Sequence, residues 1–102
     1  MTALSRDREL DIHLSAIMAR GRFTRDPGPV LAELRAAAGR RNDILASTVG
    51  EWIGFYGGPD TQLLVDALFT EFGDLDLAPG VAFGRKRRNT PTHGTCDFHR
   101  RQ

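Results

Sequence analysis

His93, Cys96 and His99 stand at i, i+3 and i+6 in the last dozen residues of the sequence. Imidazole and thiolate are good zinc ligands, and a turning chain can bring that spacing onto one ion. A structural zinc site takes four ligands, and the fourth is missing: Asp97 is a poor candidate beside Cys96, and His13 is remote in sequence. Glu71, Asp74 and Asp76 form a second cluster of potential ligands, but no calcium-loop spacing surrounds them. The expectation is no metal. Ser5, Ser15 and Ser47 are the serines, and none sits in a GxSxG elbow. The glycine-rich stretch GEWIGFYGG lacks both the GK[ST] of a phosphate loop and a preceding strand. No catalytic residue and no cofactor is therefore expected, and the chain reads as a non-enzyme.

Two other groups of residues suggest binding. Trp52, Phe55, Tyr56, Phe69 and Phe72 are five of the eight aromatics and fall within a short span. They are either core or a patch for a protein partner or a second copy, and helical spacing alone does not separate the two. The other group is basic. Arg85, Lys86, Arg87 and Arg88 form a run, and Arg100 and Arg101 follow. With Phe98 available to stack on a base, these residues are candidates for salt-sensitive contact with nucleic acid.

The net charge of +1 conceals a segregation that bears on both readings. Residues 1–41 hold eight Arg against five acids; residues 42–84 hold seven acids and no Lys or Arg; residues 85–102 hold six cations against Asp97. Such blocks steer association. They also allow the basic tail to pair with the acidic middle of its own chain. Arginine outnumbers lysine thirteen to one, which fits GC-rich coding as well as any phosphate-binding role.

The elements that must position these groups read as helices. At 40% apolar and 26% charged, the 102 residues have the make-up of a soluble globular domain. No apolar run approaches the roughly 20 residues of a membrane span. No secretory signal is visible in MTALSRDREL, and the lone Cys96 excludes an intrachain disulfide. A cytoplasmic setting is the expectation. Leu10, Leu14, Ile17 and Met18 mark one face of a first helix, with Gly21 as its stop. Pro27, Gly28 and Pro29 mark a turn, and Val30, Leu31, Leu34 and Ala38 the stripe of a second helix, stopped by Gly39. A third helix starts at an Asn42 cap and carries the largest apolar face, from Ile44 to Tyr56. Gly50 and Gly54 within it predict close approach by a neighbouring helix. A fourth helix, capped by Asp60 or Thr61, turns Leu64, Ala67, Leu68 and Phe72 inward and ends at Gly73. Residues 74–84 are compatible with an extended arm or a short helical turn.

A helix-turn-helix fits LAELRAAAGRRNDILASTVGEW only in outline. Arg35 and Arg40 occupy places that the motif gives to small and apolar residues, and the second helix is too apolar to face a groove.

The segment PTHGTCDFHRR resembles a stretch of small uncharacterised proteins from phages and bacteria with GC-rich genomes. The match lies in His93, Gly94, Thr95, Phe98 and Arg100. A pair of cysteines follows in those proteins and does not follow here. The body around ELRAAAGRRNDILASTVGEWIG is similar to small helical proteins of the same genomes. The resemblance spans about half the chain and implies no activity.

The sequence therefore predicts an all-α protein: a bundle of four short helices over residues 1–84 and a basic, flexible tail over 85–102. The expected function is an accessory or regulatory protein that acts by protein–protein binding. A small nucleic-acid-binding protein using Arg85–Arg88, Phe98, Arg100 and Arg101 is the alternative.

Overall fold

The computed structural model of the chain describes residues 3–90. Five α-helices follow one another: α1 (Ala3–Arg20), α2 (Gly28–Ala38), α3 (Asn42–Tyr56), α4 (Gln62–Glu71) and α5 (Ala78–Asn89), with a single 3-10 turn at Pro59–Thr61 before α4. The all-helical class is as the sequence predicts, but the helices number five rather than four. Helix α5 takes up the undecided stretch before residue 85 and the first residues of the expected flexible tail. The boundary drawn between residues 84 and 85 falls inside it.

Local chemistry accounts for most helix ends. Pro29 and Pro79 sit in the first turns of α2 and α5, where a missing N–H leaves no bond unmade. Gly39 closes α2 at φ +59°, the one φ in the left-handed range among the described residues, and its N–H donates to the Arg35 carbonyl. Asn42 is the first residue of α3 rather than its cap. Arg41 precedes it, and its guanidinium donates to both Asp43 and Asp7, joining the starts of α3 and α1. The Asp43 carboxyl is held below its ordinary value of 3.8 first by that guanidinium and then by the Ile44 backbone N–H.

The core is drawn from α1 to α4 and from the residue that leads into α5. Leu14, Ile17 and Met18 of α1 meet Leu34 of α2, Leu45 and Val49 of α3, and Leu64, Leu68 and Phe72 of α4. Each such side chain contributes about 1.5–3 kcal/mol by leaving water. Leu77 is the last core residue before α5.

Helix α5 is attached differently. It packs on α3 through glycines on both sides: Gly50 and Gly54 from α3, Gly80 and Gly84 from α5, all buried. A Cβ at Gly50 would lie 2.6 Å from the Leu77 carbonyl oxygen, and one at Gly80 would lie 2.9 Å from that of Ser47. One at Gly54 would press into the Val81 carbonyl, and one at Gly84 into that of Glu51. The two backbones touch, so dispersion and Cα–H···O contacts hold the crossing in place of interlocked side chains.

The pairings also fix direction. Asp7 meets Arg41 and Asp11 meets Thr48, while Arg22, just past α1, lies over Tyr56 at the end of α3. Gly50 faces Gly80, and Arg88 donates to the Gly57 carbonyl. Helices α1, α3 and α5 therefore run the same way, with α2 and α4 as the connections between them.

Candidate binding trough

The face of α3 that looks out between α1 and α5 is a trough. Its deeper part, about 420 Å³, is lined by Ile12, Ala16 and Ala19 of α1 and by Phe55 and Tyr56 of α3, with Arg87 reaching over from α5. A second depression of about 380 Å³ continues it past Asp7, Arg8, Ile44 and Ser47. The two parts meet at Asp11, Thr48 and Glu51. At 1.5 Å per residue, the α1 wall from Asp7 to Ala19 spans about 18 Å, or three to four turns.

Short side chains keep the trough open. Ser15, Ala16, Ala19 and Ser47 carry little beyond Cβ, so another backbone can come close. The buried Thr48 hydroxyl donates to Asp11 Oδ1 at 2.8 Å, which ties α1 to α3 across the floor. Glu51 accepts from Arg87, which ties α5 to the same floor.

The five aromatics singled out by spacing separate here. Trp52 and Phe72 are core, at 4% and 0% exposure, although an edge of Trp52 also lines the trough. Phe55 is half-buried and Tyr56 is 43% exposed; both line the trough. Trp52 and Tyr56 still touch, with ring centroids 5.3 Å apart, and Phe55 lies 4.8 Å from Tyr56. Phe69 is 46% exposed on α4 and takes no part in these ring contacts.

The basic run is also divided. Arg85 and Lys86 are exposed on α5 and enter none of the ion pairs among the described residues. Arg87 pairs with Glu51 and stacks over the Phe55 ring at 5.3 Å, and Arg88 donates to the Gly57 carbonyl at 3.0 Å. Phe98, Arg100 and Arg101 lie outside the described residues, as do His93, Cys96 and His99.

Spacing did not reveal the α1 wall. The i, i+4, i+7, i+8 pattern of Leu10, Leu14, Ile17 and Met18 marks the buried face. Ile12, at 61% exposure, stands on the opposite side and could have been noticed as a lone large apolar residue among Asp11, His13 and Ser15. Arg22 and Phe23 follow the Gly21 stop and belong to no apolar stripe in the sequence. In the fold, the Arg22 guanidinium lies 4.9 Å from the Phe23 ring centroid and 5.3 Å from that of Tyr56.

Comparison of the chain with protein families, curated proteins and solved structures finds no match. Among the described residues, no helix is long and apolar enough to cross a membrane.

Proposed function

We propose that the protein is a non-catalytic binding module whose trough between α1 and α5 receives one helix of a partner protein. The observation that carries this reading is the trough's make-up: a helix-length channel with small side chains on its walls and exposed Ile12 and Tyr56 at its edge. That is the form of helix-in-groove recognition, where apolar anchors at i, i+3, i+4 and i+7 enter the channel. The charges favour one orientation. Asp7 and Asp11 stand at the end where α1 and α3 begin, and Arg22 and Arg87 at the end where they finish. A helix running antiparallel to both places its basic last turn on the acids and its acidic first turn on the arginines.

The test is selection of helical peptides from a random displayed library on the full chain. Binders should protect backbone amides of residues 11–19 and 48–56 from hydrogen exchange. Ile12→Glu and Tyr56→Ala should abolish binding, while Phe69→Ala leaves it intact. Footprints centred on Phe69 would overturn the trough reading.

Nucleic-acid binding is the second reading, favoured by Arg85 and Lys86, which are exposed and enter no ion pair among the described residues. It requires duplex affinity that falls steeply with salt and disappears in Arg85→Gln/Lys86→Gln. Affinity that is absent at low salt removes it.

A further inference from the structure

Beyond the trough, around the corner of the same aromatic pair, lies a smaller pocket of about 280 Å³. Its walls come from three places in the chain: Arg22 after α1, Phe55 to Thr61 at and beyond the end of α3, and Arg88 from the last turn of α5. We propose that this pocket is a binding site for a phosphate group, held between the Arg22 and Arg88 guanidiniums.

The two arginines are fixed by contacts that leave their charge unneutralised. Arg22 is held by aromatic faces, between the Phe23 and Tyr56 rings, and its Nε is buried with no acceptor. Arg88 is held by one hydrogen bond from Nη1 to the Gly57 carbonyl. Neither enters any ion pair among the described residues, whereas Arg20, Arg35, Arg41 and Arg87 all do. Most guanidinium donors of the pair are therefore unspent, and a planar fork matches the oxygens of a phosphate.

The carbonyls at the end of α3 would otherwise compete for these donors. They are already occupied: the Thr61 hydroxyl donates to Tyr56 O at 3.0 Å, and Gly57 O takes Arg88. Asp60 is the one acid in the pocket lining; it is exposed and pairs with neither arginine. A phosphate monoester is a better match than a carboxylate, since it brings close to two negative charges at neutral pH and three acceptor oxygens. The neighbouring Phe23 ring, 64% exposed, offers a face to whatever the phosphate is attached to.

The site stands whether or not the trough takes a helix, and its test needs no partner. Full-length protein labelled for arginine Nε–H detection is titrated with inorganic phosphate and, in parallel, with phenyl phosphate and with sodium chloride at matched ionic strength. Phosphate should shift the Arg22 Nε–H and the Gly57 and Gly58 amides at millimolar concentrations, and chloride should not. Arg22→Gln and Arg88→Gln should each weaken binding about tenfold, the loss of one charge-assisted bond. Arg22→Lys, which retains the charge and removes the fork, guards against a loss due to misfolding and should also weaken it. Tighter binding of phenyl phosphate than of phosphate identifies an ester as the ligand; equal binding identifies the free ion. Shifts no larger than those of the chloride control, or shifts undiminished in both Gln variants, overturn the proposal.

Discussion

At the residue scale, Tyr56 and Trp52 share a helix face and a ring contact yet have opposite surroundings. The i, i+4 spacing placed them together correctly. It could not show that Trp52 is covered and Tyr56 left open, because that depends on where a helix far away in sequence packs. Trp52→Ala and Phe72→Ala should each cost about 3–5 kcal/mol in urea unfolding, the range for deleting a buried aromatic. Tyr56→Ala and Phe69→Ala should stay within about 1 kcal/mol, as partly exposed positions do. Thr48 presents a polar version of the same contrast. Its side chain is buried, and Asp11 accepts the hydrogen bond from its hydroxyl. Thr48→Val preserves the shape and removes the bond, so a loss of about 1 kcal/mol is expected in the same assay.

Asp43 gives a pH signature. Its folded value is lowered, so the Arg41 contact supports the fold fully above the unfolded carboxyl value and is lost as pH falls through the folded one. Carbon-detected titration of Asp43 should give a midpoint below 3.8, and Arg41→Gln should bring it back up. Because both groups are solvated, the effect on stability is expected to be small.

At the element scale, helices α1 to α4 were legible because their apolar spacing and their Gly and Pro stops agree. Helix α5 was not. APGVAFGRKRRN has two glycines, a proline and four cations, and no apolar stripe. Its partner signal was present in Gly50 and Gly54, which required a close neighbour, but nothing local named residues 80 and 84 as that neighbour. The crossing makes a sharp prediction. Gly54→Ala or Gly84→Ala drives a methyl into a rigid carbonyl, not a movable side chain, so each should cost about 3 kcal/mol, the upper end for overpacking. The loss should appear as reduced amide protection across 78–89. Gly58→Ala, with open space around it, should leave that protection unchanged.

At the scale of the whole molecule, the three charge blocks acquire a physical reason. Helices α1, α3 and α5 are parallel, so their negative ends gather at one pole and their positive ends at the other. Arg20 ends α1 and Arg22 follows it, and Arg85 to Arg88 close α5, all at the negative pole. Asp7 and Asp43 lie in or near the first turns of α1 and α3, at the positive one. Side-chain charge thus opposes the summed helix dipoles. Ion pairs then join the blocks: Arg35 to Glu71 at 2.7 Å, Arg41 to Asp43 at 3.0 Å, and Arg87 to Glu51. The run that reads as a nucleic-acid tail in sequence is in part the C-terminal charge of a folded helix. Removing residues 85–102 should therefore lower stability as well as charge, since it deletes the end of α5 and the Arg87 and Arg88 side-chain ties to α3. A thermal melt of residues 1–84 against the full chain checks this, with a lower midpoint expected for the shorter form.

The glycine crossing also sets how the molecule responds to temperature. Apolar surface leaving water is what gives protein stability its heat capacity and its curved dependence on temperature. At the α3–α5 seam the closest contacts are between backbones, and Val81 is the α5 side chain that packs, partly buried, against the core. The free energy that holds α5 should then change almost linearly with temperature, while that of the four-helix core bends. On cooling, the core loses its driving force and the seam does not, so the last element the sequence reveals is the one least weakened by cold.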